Sequence, residues 1–170
     1  MVTSSQSSVD ELHKLSSTWT IYAHLPHDTD WTLASYKTLF TTDKMEEFIT
    51  VTESLPDQLI SNCMLFIMKD NIKPIWEDAH NKNGGCFSYK ISNKSVPAIW
   101  RKFSYKLVGN TIFKNEKIKN NINGITISPK KNFCIVKLWF SDCSNQNPDC
   151  IDYFKGVDSH GCLFKRHFNK

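Results

Sequence analysis

The sequence predicts an α+β domain, in which a mostly antiparallel β-sheet carries two main helices on one face. Three observations support this. Short segments with strand-like patterning outnumber helical segments. Most of the connections between them have the length of hairpins, which join antiparallel strands. The chain of 170 residues, 40% of them hydrophobic, is also long enough to bury one core without disulfide or metal support.

The strand predictions rest on alternation of side chains between two faces. Residues 17–24 (STWTIYAH) place Trp19, Ile21 and Ala23 on one side. In residues 132–140 (NFCIVKLWF), Lys137 and Trp139 share one face, whereas the alternate apolar residues occupy the other. The remaining predicted strands are residues 33–41, 63–69, 86–91, 122–128 and 163–168.

Two segments carry helical signals. Asp43 is a candidate N-cap and Glu46, three residues later, completes a capping box. The predicted buried face of this first helix consists of Met45, Phe48, Ile49 and Thr52. The second helix lies within residues 95–109, with Pro97 near its start and Gly109 at its end. Its predicted buried stripe consists of Trp100, Phe103 and Leu107.

The composition predicts one domain in a reducing compartment. Residues 1–15 are polar and are predicted to form a flexible segment, followed by a single domain over residues 16–170. The start of the chain lacks the apolar centre of a signal peptide, and no run of residues is long enough to span a membrane. Cys63 and Cys134 lie in apolar segments, which favours reduced thiols and a cytoplasmic location. The net charge of +4 permits an anionic partner without requiring one.

Motifs for catalysis and metal binding are not evident. A metal site drawn from Cys143, Cys150, His160 and Cys162 matches no common zinc spacing, so neither a metal nor another cofactor is expected. The sequence contains no G-x-S-x-G, phosphate loop or H-E-x-x-H motif, and no Cys/His pair in the context of a nucleophile. We therefore expect a binding protein without catalytic residues.

The most informative stretch is IKPIWEDAHNKNGG, residues 72–85, which places Trp76 beside Glu77 and Asp78 ahead of an Asn-Gly-Gly turn. A Trp in such a loop either packs in the protein interior or offers its ring to a flat ligand. Asp78 is predicted to brace the loop. This stretch resembles the eukaryotic translation initiation factor 4E family, the messenger-RNA cap-binding proteins. Further similarity lies in residues 42–48 (TDKMEEF), 99–109 (IWRKFSYKLVG), 136–143 (VKLWFSDC), 17–22 and 156–160.

The resemblance implies a curved sheet, with two to three helices on its convex face and a cap-binding cleft on its concave face. It implies that Trp31 and Trp76 sandwich the cationic 7-methylguanine base, with Tyr36 as the alternative to Trp31. Each indole face contributes about 1–2 kcal/mol through cation–π attraction. Glu77 is expected to accept hydrogen bonds from the guanine edge, and Trp139 to contact the methyl group.

Recognition of the triphosphate requires cations. The family's Arg-x-Lys turn corresponds here to Ser-Pro-Lys-Lys, residues 128–131, and its strand lysine corresponds to Ile135. Lys137 lies two residues later on the face of Trp139 and is a candidate substitute, and Arg166 or Lys165 is a candidate for the downstream phosphates. The predicted phosphate-binding residues are Lys130, Lys131, Lys137 and Arg166.

The convex face departs from the family pattern. Ile49 stands where the family has a Trp that grips a scaffold peptide, and Arg101 and Lys102 replace an apolar-acidic pair. Reversed charge at a docking point weakens or excludes the usual partner. The expected partner-binding residues are His13, Met45, Ile49, Arg101, Lys102 and Tyr105.

The expected partners are therefore capped messenger RNA and, on the convex face, an initiation factor 4G-like scaffold or a lineage-specific peptide. The expected function is cap binding in translation initiation. One alternative is a cap-binding repressor or decoy that does not recruit the scaffold. The other is a structural interaction domain with a decayed pocket. The Asn-, Lys- and Ile-rich composition favours a divergent viral or protist lineage.

Overall fold

The computed structural model describes residues 11–168 and contains one sheet and three α-helices in that range. The strands are β1 (Lys14–His24), β2 (Tyr36–Lys44), β3 (Met64–Lys69), β4 (Gly85–Ser92), β5 (Ile122–Pro129), β6 (Phe133–Phe140) and β7 (Leu163–Arg166). The helices are α1 (Met45–Ser54), α2 (Asp57–Asn62) and α3 (Val96–Val108). Short 3-10 turns occupy Leu33–Ser35, Asn93–Ser95, Glu116–Asn121 and Pro148–Cys150.

The sheet has seven strands in the order β2-β1-β3-β5-β6-β4-β7, and every neighbouring pair is antiparallel. Its centre is in regular register. Phe66 on β3 lies opposite Thr126 on β5, and Thr126 lies opposite Lys137 on β6. Residues that lie opposite one another project to the same face of a sheet, so these three side chains share a face. The predicted antiparallel α+β fold is confirmed.

The two faces of the sheet have different roles. Trp19, Ile67 and Val136 project from one face and form the main core with α1, α2 and α3. Trp100 and Phe103 of α3 are fully buried there, as the predicted stripe requires. The opposite face carries a smaller apolar cluster that includes Tyr22, Phe66, Met68 and Trp139. One face is thus closed by helices, whereas the other has room for a cleft.

The predicted start of the first helix is wrong. Asp43 lies in β2, Lys44 is the N-cap with an extended backbone, and no side chain caps the helix. Because β2 runs directly into α1, there is no loop in which a capping box could form. The carboxylate of Glu46 instead accepts a hydrogen bond from the backbone N–H of His13, at 2.9 Å. Of the predicted buried face only Phe48 and Thr52 are buried, whereas Met45 and Ile49 are exposed.

Two further boundaries differ from prediction. β1 begins at Lys14 and Leu15 is buried in the core, so the end of the predicted flexible segment belongs to the sheet. Residues 1–10, which belong to the same predicted flexible segment, lie outside the described residues. The predicted strand at residues 33–41 begins as a 3-10 turn, and β2 starts only at Tyr36.

Candidate ligand-binding cleft

A cleft of about 400 Å³ opens on the sheet face opposite the helices. The loop between β1 and β2 contributes Trp31 to its lining, and the loop between β3 and β4 contributes Trp76 and Glu77. The central strands supply Phe66, Thr126, Ser128, Lys137 and Trp139. The structure therefore brings together three tryptophans and an acid that the sequence places in separate segments.

Trp31 is held from behind by a histidine. The ring of His24, at the end of β1, stacks on the indole with ring centroids 4.0 Å apart and planes 3° apart. His24 is buried, and its Nε2 lies 2.8 Å from the carbonyl oxygen of Asp30, which can only accept a hydrogen bond. Trp31 itself is 57% exposed. One indole face is thus covered by imidazole while the residue remains accessible at the cleft.

Tyr36, the alternative to Trp31, also lines the cleft but packs differently. Its ring meets Phe66 edge-on at 5.3 Å and meets His24 edge-on at 5.2 Å. These contacts fix Tyr36 as part of the sheet packing, whereas Trp31 projects from a loop. Trp31 is thus the more exposed of the two rings at the cleft.

Trp76 is 43% exposed and lies on a loop with dense internal hydrogen bonding. The Asp78 carboxylate accepts hydrogen bonds from the backbone N–H groups of Lys73 at 2.9 Å and His80 at 2.8 Å. The buried Asn81 side chain donates to the carbonyl oxygens of Lys73 and Ile75. Burial raises the pKa of Asp78, but the N–H donors outweigh it and hold that pKa below its usual range. The prediction that Asp78 braces this loop is confirmed.

Glu77 lines the cleft, and its side chain takes part in no hydrogen bond or ion pair with another residue in 11–168. The pKa of Tyr36 is raised by burial and, in addition, by the charge of Glu77. Tyr36 and Glu77 line the same cleft, so the Glu77 carboxylate contributes negative charge to it. Two carboxylate oxygens remain able to accept hydrogen bonds.

The floor of the cleft combines an apolar ring with an unpaired hydroxyl. Trp139 is 3% exposed and meets Phe66 edge-on, with ring centroids 6.4 Å apart. Thr126 is fully buried, and its Oγ1 has no hydrogen-bond partner within residues 11–168. Buried polar atoms are usually paired, so this hydroxyl is an exception within the described residues.

His167, just after β7, supports Trp76 and Trp139. Its ring is parallel to that of Trp76 within 8° at 6.2 Å, and is tilted against Trp139 at 4.8 Å. Its Nδ1 lies 2.7 Å from the carbonyl oxygen of Asn81, so Nδ1 carries the proton and Nε2 is buried without a partner among the described residues. Burial lowers the pKa of His167; the Asn81 carbonyl opposes this, and the charge of Lys137 lowers the pKa further.

Sequence reasoning did not identify His24 or His167. Neither lies in a motif, and the two are far apart in the chain. His24 reaches Trp31 only through the path of the loop that follows β1, and His167 reaches Trp76 only because β7 pairs with β4. The only signal in the sequence is that each is a polar residue at the end of a predicted strand.

The predicted phosphate-binding cations are not all at one place. Among the described residues, the lining of the cleft includes Lys130 and Lys137 but neither Lys131 nor Arg166, which are exposed beyond it. The Nζ of Lys137 lies 5.7 Å from the centroid of the Trp76 ring. Lys137 thus lies beside Trp76 in the cleft.

On the convex face, some of the predicted partner-binding residues are exposed, whereas others contact residues of the protein itself. Met45, Ile49 and His13 are exposed on or beside α1. Arg101 is instead engaged within the protein, donating to the carbonyl oxygen of Leu55 at 2.9 Å and to Asp57 at 2.8 Å. On the same helix, Tyr105 donates a hydrogen bond to Glu53, and the Lys102 ammonium lies 5.3 Å from the ring centroid of Phe154.

In residues 11–168, no cluster of three or more His, Cys, Asp or Glu side chains could hold a metal ion. No helix in this range is both long and apolar enough to cross a membrane.

Comparison with known proteins assigns the chain to a family. The profile of the family described as eukaryotic initiation factor 4E matches residues 14–153. The chain belongs to this family. It is 29% identical over 141 residues to eukaryotic translation initiation factor 4E of Candida albicans, covering 77% of this chain and 66% of the relative. A homologue from Acanthamoeba polyphaga mimivirus is 39% identical over 62 residues, covering 36% of this chain and 23% of the relative.

The predicted membership of the initiation factor 4E family is therefore confirmed, and the identity of 29% to the two fungal relatives agrees with a divergent member. The chain spans about two thirds of the length of the curated fungal relatives, or slightly less: 66% for Candida albicans and 63% for Eremothecium gossypii.

Solved structures of initiation factor 4E proteins share the fold. eIF4E-3 of Ascaris suum, in complex with an m7G cap, gives a TM-score of 0.70 at 19% identity, with 79% of this chain and 77% of that chain covered. Schistosome eIF4E, complexed with m7GpppG and 4E-BP, gives a TM-score of 0.70 at 21% identity, with 79% and 75% covered.

Proposed function

We propose that this protein binds the 7-methylguanosine 5′ cap of messenger RNA and acts in translation initiation in the cytoplasm, without a catalytic step. The observation that carries the proposal is the pair of exposed indoles, Trp31 and Trp76, which come from separate loops to line one cleft together with Glu77. Relatives with the same fold have been solved with m7G and m7GpppG caps.

The proposed role of the indoles follows from the charge of the methylated base. Methylation makes 7-methylguanine cationic, and a cation over an indole face gains about 1–2 kcal/mol when it is shielded from water. Trp31 and Trp76 would hold the base between them, with Trp139 against the methyl group. Unmethylated guanine lacks this charge and should lose most of the cation–π contribution.

Glu77 would supply base identity. The Watson–Crick edge of guanine offers two adjacent donors, which match the two carboxylate oxygens. Adenine does not present this pair of donors. The backbone N–H of Trp76 would donate to the carbonyl oxygen of the base. Asp78, which already accepts two backbone hydrogen bonds, fixes the loop that presents these groups.

The phosphates would interact with two groups of cationic side chains. Lys130 and Lys137 line the cleft and are placed for the phosphates nearest the base. Lys131 and Arg166 are exposed outside it, and would act on downstream phosphates through longer-range attraction. Lys131→Ala should therefore weaken binding modestly and reduce its dependence on salt.

The convex face would bind a partner peptide of altered specificity, either an initiation factor 4G-like scaffold or a peptide of this lineage. Schistosome eIF4E was solved with 4E-BP, which shows that a relative binds a protein partner. In this chain Ile49 and Met45 offer exposed apolar surface, whereas Arg101 and Lys102 stand where the resemblance implies an apolar-acidic pair. Full-affinity binding of an ordinary initiation factor 4G peptide would contradict this part of the proposal.

The altered convex face also favours a second candidate function, a cap-binding repressor or decoy. Such a protein would use the same cleft but would not recruit the ribosome-loading scaffold. Co-purification of a scaffold subunit with the capped-RNA complex would support the initiation factor. Cap binding that lowers translation of a capped reporter, with no scaffold retained, would support the repressor.

Intrinsic Trp fluorescence titrated with 7-methyl-GTP and with GTP tests cap binding directly. We expect quenching by the methylated nucleotide at concentrations at least tenfold lower, which is about 1.4 kcal/mol. Glu77→Ala removes two charge-assisted acceptors and should weaken binding about 100-fold or more. Glu116→Ala, an exposed acid outside the cleft lining, is the matched control and should bind normally. Equal affinity for both nucleotides, or no binding, would refute the proposal.

A further inference from the structure

Lys137 lies deeper in the cleft than the resemblance would place a phosphate-binding lysine. The expected lysine position is Ile135, whereas Lys137 comes two residues later on β6. Alternate residues of a strand share a face, and a strand rises about 3.4 Å per residue, so the shift is about 7 Å toward Trp139. The cation has moved along the same face from the rim toward the base-binding end.

The Lys137 ammonium lies close to the ring of Trp76. Its Nζ lies 5.7 Å from the ring centroid, within the range of a cation–π contact. The cross-strand neighbours of Lys137 are the neutral residues Thr126 and Ser88. Within residues 11–168, no carboxylate forms an ion pair with Lys137. The Lys137 ammonium thus faces the Trp76 ring without forming an ion pair in that range.

A cationic base stacked on Trp76 would meet this ammonium as a like charge. Both positive groups are attracted to the negative faces of the indole, and like charges at close range repel. Phosphates attached to the base reverse the balance, because they attract the ammonium. The four-carbon stem of lysine has enough freedom to turn from the ring toward a phosphate. The effect of Lys137 should therefore change sign with the number of phosphates on the ligand.

We propose that Lys137 is a specificity-determining residue that makes cap binding conditional on phosphate. It disfavours 7-methylguanosine without phosphates, through repulsion at Trp76, and favours the 5′-phosphorylated cap, through attraction. The inference rests on the proposed cap-binding function and adds to it a selection against free methylated nucleosides. A lysine at the rim of the cleft would supply attraction alone.

The test compares the full chain with Lys137→Met, which keeps the apolar stem and removes the charge. Affinities for 7-methylguanosine, 7-methyl-GMP and 7-methyl-GTP are measured by isothermal titration calorimetry. We expect Lys137→Met to bind the triphosphate about tenfold more weakly and the nucleoside about threefold more tightly. The ratio between triphosphate and nucleoside affinity should then fall about 30-fold.

Lys90→Met is the matched control. Lys90 projects from β4 and its Nζ lies 4.4 Å from the ring centroid of Phe133, but it does not line the cleft. This control should leave the affinity ratio within about twofold of the original chain. Equal weakening of nucleoside and triphosphate in Lys137→Met would overturn the proposal, because it would mean that Lys137 only maintains the shape of the cleft. Unchanged affinities for all ligands would overturn it as well.

A second measurement varies the salt concentration. In both the original chain and Lys137→Met, added salt screens the attraction between Glu77 and the cationic base. In the original chain it also screens the repulsion from Lys137, so nucleoside affinity should fall less with salt than in Lys137→Met, whereas triphosphate affinity should fall more. The same salt dependence in the two chains would overturn the inference. Failure of the original chain to prefer 7-methyl-GTP over GTP is a separate result, which would refute the proposed function itself.

Discussion

The polar side chains on the two faces of the sheet differ in whether they have partners within the protein. On the convex side, Arg101 is held by Asp57 and the Leu55 carbonyl, Tyr105 by Glu53, and Lys106 by Asp152 at 2.6 Å. On the concave side, the side chains of Glu77, Lys130 and Lys137 form no hydrogen bond or ion pair within residues 11–168. The hydroxyl of Thr126 is likewise unpaired in that range.

Because of this difference, a small charged ligand can gain more binding free energy in the cleft than on the convex face. Paired groups on the convex face have already exchanged water for protein partners, so a ligand would have to break those contacts. The charged groups of the cleft are exposed or half-buried and have no partner within residues 11–168, so a ligand can pair with them without breaking contacts within the protein. The tryptophans divide in the same way, because Trp19 and Trp100 are in the core whereas Trp31 and Trp76 are exposed at the cleft.

The largest expected effect separates the two kinds of tryptophan. Trp100→Ala removes a fully buried indole and should lower the free energy of unfolding by about 3–5 kcal/mol. Trp31→Ala, at a 57% exposed position, should change that free energy by less than about 1 kcal/mol and weaken 7-methyl-GTP binding about 5–30-fold. Urea denaturation and fluorescence titration measure the two quantities. Normal cap affinity in a folded Trp31→Ala protein would break the comparison.

A smaller effect is expected on the convex face. Arg101→Met removes the donors to Leu55 and Asp57 and should lower the free energy of unfolding by about 1–2 kcal/mol. Affinity for 7-methyl-GTP should stay within about twofold, because Arg101 supports the helices and not the cleft. Lys102→Met, the neighbouring exposed position, is the control and should have the smaller effect on stability. A large loss of cap affinity in Arg101→Met would show that the two faces are coupled.

The smallest effect tests the histidine behind Trp31. His24→Ala removes the stacked ring and should weaken 7-methyl-GTP binding about fivefold, because an aromatic pair contributes about 1 kcal/mol. His24→Phe keeps a flat ring and should restore affinity to within about twofold, although it loses the hydrogen bond to Asp30. Fluorescence titration measures both, with circular dichroism to confirm folding. If His24→Phe binds as weakly as His24→Ala, stacking is not what positions Trp31.

The sequence was sufficient wherever the signal was local. Alternation in β1 and β6 predicted which side chains reach the core, because residues that alternate along a strand must lie on opposite faces. The Trp-Glu-Asp loop was recognisable because its chemistry is contiguous, and Asp78 braces that loop through neighbours only two and five residues away. The capping box failed because a local pattern predicted a loop where β2 continues directly into α1.

The sequence was enough to predict the antiparallel α+β fold and the family. It was also enough to select the tryptophans and the acid that are candidates for cap binding. Periodicity and contiguous motifs are properties of the chain itself. Other contacts appear only in the folded chain: His24 stacks on Trp31, and His167 lies near both Trp76 and Trp139. Lys137 also reaches the Trp76 ring, while Lys131 does not line the cleft. These contacts depend on strand register and loop path. Register and path are set by how the whole sheet packs, and no short segment encodes them.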